Sequence, residues 1–235
     1  MTPSSDLPAG ASGDSEDAAG DGVTPLPDEA IVPGTAPAAL PIPPARKRPR
    51  PGERRVQILE TLATMLQEPG AERVTTAALA AKLEVSEAAL YRHFASKAQM
   101  FEGLIEFIET TVSSLVNKIQ SESEDGAAQA EQTVVMLLRF AEKNQGMTRV
   151  LIGDALVNED ERLQVRINQF VEKLEAALRQ SLRIALAANA WHGDANADAA
   201  VLIAYVVGRW QLFAKSGFKR SPQEGWPLQR KFLFG

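Results

Sequence analysis

Residues 74–97, V-T-T-A-A-L-A-A-K-L-E-V-S-E-A-A-L-Y-R-H-F-A-S-K, constrain this chain more than any other stretch. A short helix begins on Thr75 or Thr76, either of which can accept a backbone N–H through its side-chain oxygen. Leu79 and Leu83, four residues apart, give that helix one apolar edge. Ala80 and Ala81 are small enough for a second helix to approach closely, and Val85 fills the turn. Ser86 is the expected cap of the second helix, with Glu87 in its first turn, where the helix dipole favours an acid. Leu90 and Phe94 face inward, which leaves Ala88, Ala89, Tyr91, Arg92 and His93 outward or along the flanks. Ser96 caps the next helix, and Lys97 sits in its first turn, where the dipole disfavours a cation and a nearby phosphate would compensate. The pattern is a helix-turn-helix, and it points to double-stranded DNA. Taken singly, Tyr91 also fits a packed core and His93 a structural histidine. The caps, the turn length and the basic-aromatic flank carry the reading as a set.

A formal charge of −5 sits oddly with DNA until it is divided along the chain. Seven acids (Asp6, Asp14, Glu16, Asp17, Asp21, Asp28, Glu29) fall in residues 1–45, which hold no Lys or Arg, so the remainder is net positive. Directly afterwards come Arg46, Lys47, Arg48, Arg50, Arg54 and Arg55, opposed only by Glu53. Residues 1–45 are rich in Ala, Gly, Pro, Ser and Asp and hold too little apolar surface to offset chain entropy. The segment Arg46–Arg50 reads either as an arm that follows phosphates or the minor groove, or as a solvated tether.

From Glu53 the period becomes helical, with Val56, Leu59, Leu62, Ala63 and Leu66 recurring until Pro69-Gly70. A long helix is expected from Lys97 to about Glu122, with Phe101, Leu104, Ile105, Ile108, Val112, Leu115 and Ile119 in one stripe. Phe107 lies about 120° from the centre of that stripe. It is covered by a second neighbour or left exposed to anchor a partner. Further helices are expected over 129–142, 148–157, 160–188 and 198–216, with a loop over 189–197 and a short helix over 226–234. Two of the longer ones from each of two chains would make a four-helix dimer interface, and a monomeric helical core is the alternative. The expected fold is therefore all-α. A disordered extension, acidic then basic, covers 1–52; a helix-turn-helix three-helix domain covers 53–98; and a larger helical dimerisation domain covers 99–235.

The absence of cysteine removes disulfides and thiolate metal sites. No apolar run is expected to reach a bilayer span and no signal peptide opens the chain, so a cytoplasmic protein without a membrane partner is expected. Only His93 and His192 are present, with no glycine-rich phosphate loop and no H-E-x-x-H pattern. No catalytic residue, cofactor or metal is expected, and the chain does not read as an enzyme.

The stretch Val74–Lys97, with Leu-Tyr-Arg-His-Phe followed by Ser-Lys, resembles the DNA-binding domain of the TetR family of dimeric regulators. Three further segments, L-I-E-F-I-E at 104–109, N-Q-G-M-T-R-V-L at 144–151 and D-E-R-L-Q-V-R-I-N-Q at 160–169, narrow the resemblance to the nucleoid occlusion branch of that family. The resemblance implies a nucleoid-associated homodimer that binds palindromic chromosomal sites and antagonises assembly of the tubulin-like division protein FtsZ. It implies DNA contacts at Thr75, Thr76, Ser86, Ala88, Tyr91, Arg92, His93 and Lys97. It also implies a groove for the FtsZ tail at Phe107, Leu137, Lys143 and Asn144, where Leu115 and Arg139 depart from residues found in that branch. The competing function is a repressor of the same fold released by a small molecule, for which Trp191, Tyr205, Arg209 and Trp210 would line a pocket, unless they are core or dimer contacts. Arg209, in an apolar helix, would then look to an acid across the dimer.

Overall fold

The computed structural model describes residues 52–68 and 74–235, and all regular structure within them is helical. The acidic and basic stretches of residues 1–51, and Pro69-Gly70, lie outside the described residues.

Helices α1 (Glu53–Met65), α2 (Thr76–Lys82) and α3 (Glu87–Tyr91) close around Ile58, Leu62, Leu66, Leu79, Leu90 and Phe94, all buried. Helix α4 (Lys97–Glu122) leaves this cluster and runs 26 residues, about 39 Å. Its first half packs on α1 and its length lies over α5 (Gly126–Lys143) and the later α7. A short α6 (Gln145–Leu151) and a 3₁₀ turn (Asp154–Leu156) lead to α7 (Glu161–Ala187), α8 (Ala195–Lys215) and α9 (Trp226–Leu233). Helix α7 packs along α8 and against α5, so α5, α7 and α8 form the body that α4 covers.

The helix starts follow side-chain caps. Ser96 accepts from the Gln99 amide, Asp125 from Ala127 and Ala128, Asp160 from Arg162, and Asp194 from Asn196 and Ala197. These caps start α5 and α8 three residues before the positions their apolar spacing suggests. The helix expected over 148–157 is two pieces, because Gly153 adopts a left-handed φ of 79° after α6. At the start of α5, Gly126 lets the backbone press on α7: a Cβ there would come within 2.2 Å of the Ser181 carbonyl oxygen.

Contrary to the expectation from apolar runs, α8 is 21 residues long and apolar enough by composition to cross a membrane. Its apolarity has another cause. Leu202, Val206, Trp210 and Phe213 are buried in the helical body, so α8 is a core helix flanked on more than one side.

Candidate DNA-binding surface and partner groove

Of the two threonines at the start of the helix-turn-helix, Thr75 is the cap: its Oγ1 accepts from the Ala78 amide at 3.1 Å. Thr76 instead donates to the Glu87 carboxylate at 2.6 Å and ties α2 to the first turn of α3. Between the helices the backbone makes paired turn bonds, Val85 N–H to the Ala80 carbonyl and Glu84 N–H to the Ala81 carbonyl, both at 3.0 Å. This is a Schellman ending, with Glu84 carrying the left-handed conformation at φ 54°. Ser86 accepts from the Ala89 amide and starts α3.

The turn fixes which side of α3 faces out. Leu90 and Phe94 are buried, whereas Ser86, Ala88, Tyr91, Arg92 and His93 are exposed on a contiguous surface. Tyr91 is therefore not a core tyrosine. Arg55 of α1, which sequence reasoning missed, holds the end of this surface. Its guanidinium lies 4.1 Å from the Phe94 ring centroid and donates to the His93 carbonyl at 2.9 Å. The basic run around Arg55 was visible in the sequence, but its partner 38 residues away was not.

Lys97 differs from the expectation that a phosphate would compensate it. Its Nζ is ion-paired with Glu159, from the turn before α7, and lies 5.7 Å from the Phe101 ring. The cation at the unfavourable helix start is offset by a carboxylate of the protein itself.

The second site is an open groove of about 770 Å³ between α4 and α5. Phe107, Thr111, Leu115 and Ile119, spaced four apart, form one wall. Val135, Met136, Arg139, Phe140, Lys143 and Asn144 contribute the other. Phe107 is 48% exposed and Leu115 37%. The single stripe expected on α4 is thus two neighbouring rows. The buried row continues Leu104–Ile108–Val112–Val116, and Leu115 and Ile119 belong to the groove row, because rows four apart run oblique to the helix axis.

Phe107, Lys143 and Asn144 come together in the groove, and Leu137 does not. Leu137 is fully buried with Ala130, Val134 and Ala141 on the core side of α5, and its carbonyl accepts the Trp210 indole N–H at 3.1 Å. Met136 and Phe140 occupy the groove-facing positions beside it. Asn144 is half committed: its Nδ2 donates to the Phe140 carbonyl at 2.7 Å, fixing the corner between α5 and α6.

The residues considered for a small-molecule pocket are engaged elsewhere. Trp210 is fully buried. Arg209 donates to the carbonyls of Pro222, Ser221 and Glu224 at 2.8–2.9 Å, so it needs no acid from another chain. Trp191 donates to Asp198 at 2.8 Å and meets Phe234 edge-on, while Tyr205 donates to Gln229 at 2.5 Å. Among the described residues no cluster of His, Asp or Glu is arranged to hold a metal.

The capped bihelical motif set on a larger helical body defines a DNA-binding regulator of the TetR class. Residues 58–104 match the family described as bacterial regulatory proteins, tetR family, and residues 125–235 match the SlmA-like tetracyclin repressor-like C-terminal domain. The fold is shared with the fatty acid degradation regulator FadR from Bacillus halodurans (TM-score 0.66, 16% identity, 78% of this chain and 96% of that one). It is shared also with the TetR family transcriptional regulator PfmR from Thermus thermophilus (TM-score 0.64, 20% identity, 76% and 97%). Sequence similarity goes further. The nucleoid occlusion factor SlmA of Alteromonas mediterranea is 49% identical over 173 residues, 73% of this chain and 89% of that protein. That of Marinomonas sp. is 46% identical over 179 residues, 75% and 91%. The chain belongs to the SlmA family of nucleoid occlusion factors.

Proposed function

We propose that this protein is a homodimer that binds palindromic sites on the chromosome and, from there, antagonises FtsZ assembly so that the septum does not close over the nucleoid. The observation that carries the reading is the half-exposed Phe107 in an open groove of a SlmA-family chain that also bears an outward α3 surface. In this reading Tyr91, Arg92 and His93 meet the groove edge. The hydroxyls of Thr75 and Ser86, already capping their helices, lie beside the phosphates with Thr76, Ala88 and Lys97. Residues 53–98 act as the DNA-binding domain and 99–235 as the dimerisation and partner-binding domain. It is a cytoplasmic, chromosome-associated binding protein and performs no chemistry.

Dimerisation is supported by the outer row of α8, where Val201, Ala204, Gly208 and Leu212 are exposed and a Cβ at Gly208 would meet nothing within 4 Å. Such a row of small and apolar residues suits close packing against a second α8. The small-molecule repressor reading has less support, because its four candidate residues are occupied by internal bonds and the large cavity is an open groove rather than an enclosed pocket.

FtsZ assembly, followed by sedimentation with the protein and a chromosomal palindrome, tests the proposal. Loss of polymer with wild type and retention with Phe107→Ala is expected. Unchanged polymer with the DNA-bound wild type would overturn it.

A further inference from the structure

The C-terminal part of the chain is tied to α5, the helix that forms one wall of the groove. The segment between α8 and α9, and α9 itself, reach across to the outer flank of α5 through four polar links. Ser221 and Gln223 both bond the Glu142 carboxylate, Arg139 Nε donates to Gln223 Oε1 at 3.2 Å, and Arg230 makes a two-pronged pair with Glu131 at 2.7 and 2.6 Å.

Two of these partners, Glu131 and Arg139, also line the groove. Their fates differ. The Glu131 carboxylate, the acid of the groove lining, is taken up on both oxygens by Arg230. Arg139 is held through Nε by a neutral amide that is itself anchored on Glu142, which leaves both terminal guanidinium nitrogens without an acid among the described residues. Lys143, one turn further on, is exposed and likewise has no acid on it among the described residues. The α4 wall facing them carries only Phe107, Thr111, Leu115 and Ile119. The groove therefore presents an apolar trough with cations at the α6 end and a neutralised acid towards the other.

We infer that the C-terminal segment sets the charge of the groove, with Gln223 and Arg230 as positioning residues, so that it selects a peptide whose apolar side chains are flanked by carboxylates reaching Arg139 and Lys143. The inference rests on the partner reading above and names what the groove discriminates. Arg139 touches the peptide. Arg230 does not, and acts by keeping the Glu131 charge from repelling peptide acids.

The test uses the full-length protein and two forms of the cognate FtsZ C-terminal peptide, one native and one with its Asp and Glu replaced by Asn and Gln. Binding is followed by anisotropy at low and high salt. Arg139→Gln is expected to weaken the native peptide about fivefold and to flatten its salt dependence, with little effect on the amide form. Arg230→Gln is expected to weaken the native peptide by a similar factor while leaving the amide form unchanged, a split that general loosening of α9 would not produce. If both variants keep the wild-type preference for the native peptide, the inference is overturned and the partner reading stands. If the wild type binds neither peptide, both fail.

Discussion

Gly146 of α6 lies against the backbone of Ala63 in α1: a Cβ added to it would come within 1.8 Å of the Ala63 carbonyl oxygen. The contact joins the helix that supports the DNA-reading pair to the helix that follows Asn144, the corner of the groove. Both partners are backbone atoms, so a methyl group there is not relieved by a rotamer change. Gly146→Ala is expected to cost about 1–3 kcal/mol in urea unfolding. Wild-type stability in that variant would show that α1 and α6 separate freely.

Tyr91→Ala is expected to abolish site-specific DNA binding while leaving helix content and dimer mass unchanged, because the side chain is 45% exposed on the outer surface of α3. Circular dichroism, light scattering and duplex binding measure the three quantities. Retained site preference would remove Tyr91 from the reading surface.

Arg92 and Lys97 are both cations at the expected interface, but among the described residues only Lys97 has an acid, Glu159, on it. Arg92→Ala is therefore expected to reduce the slope of log affinity against log salt by about two for the dimer, about one per protomer. Lys97→Ala is expected to change it by much less. Equal changes would mean that Glu159 releases Lys97 on the DNA.

Much of the DNA-reading unit was legible from local chemistry. The hydroxyls of Thr75, Ser86 and Ser96 cap the helices their positions suggested, and α4 keeps its expected bounds, because capping and four-residue spacing act within a turn or two. What escaped depends on partners distant in the chain. Lys97 could not be matched to Glu159, nor Arg55 to Phe94, nor Arg209 to three carbonyls after α8. The assignment of Leu137 to the groove failed by one helical position: about 100° of rotation separates it from Met136, and only the placement of α8, whose Trp210 bonds the Leu137 carbonyl, decides between them.

Tyr205 gives a pH test. Burial raises its hydroxyl above the ordinary 10.0, with the nearby Arg209 charge opposing. The unfolded chain therefore loses this proton first as pH rises. Its contribution to stability is complete below about pH 10 and is lost as pH climbs towards the folded value. Urea midpoints are expected to fall less steeply above about pH 10 in Tyr205→Phe than in wild type. Parallel curves would indicate that the hydroxyl is accessible in the folded state.

Two copies of the α2–α3 unit, presented by paired chains, are expected to read an inverted repeat. Sequencing the chromosomal fragments bound by the protein in cells measures this. Discrete sites that share a palindrome and disappear with Tyr91→Ala are expected. Uniform recovery across the chromosome, or sites without an inverted repeat, would contradict this reading.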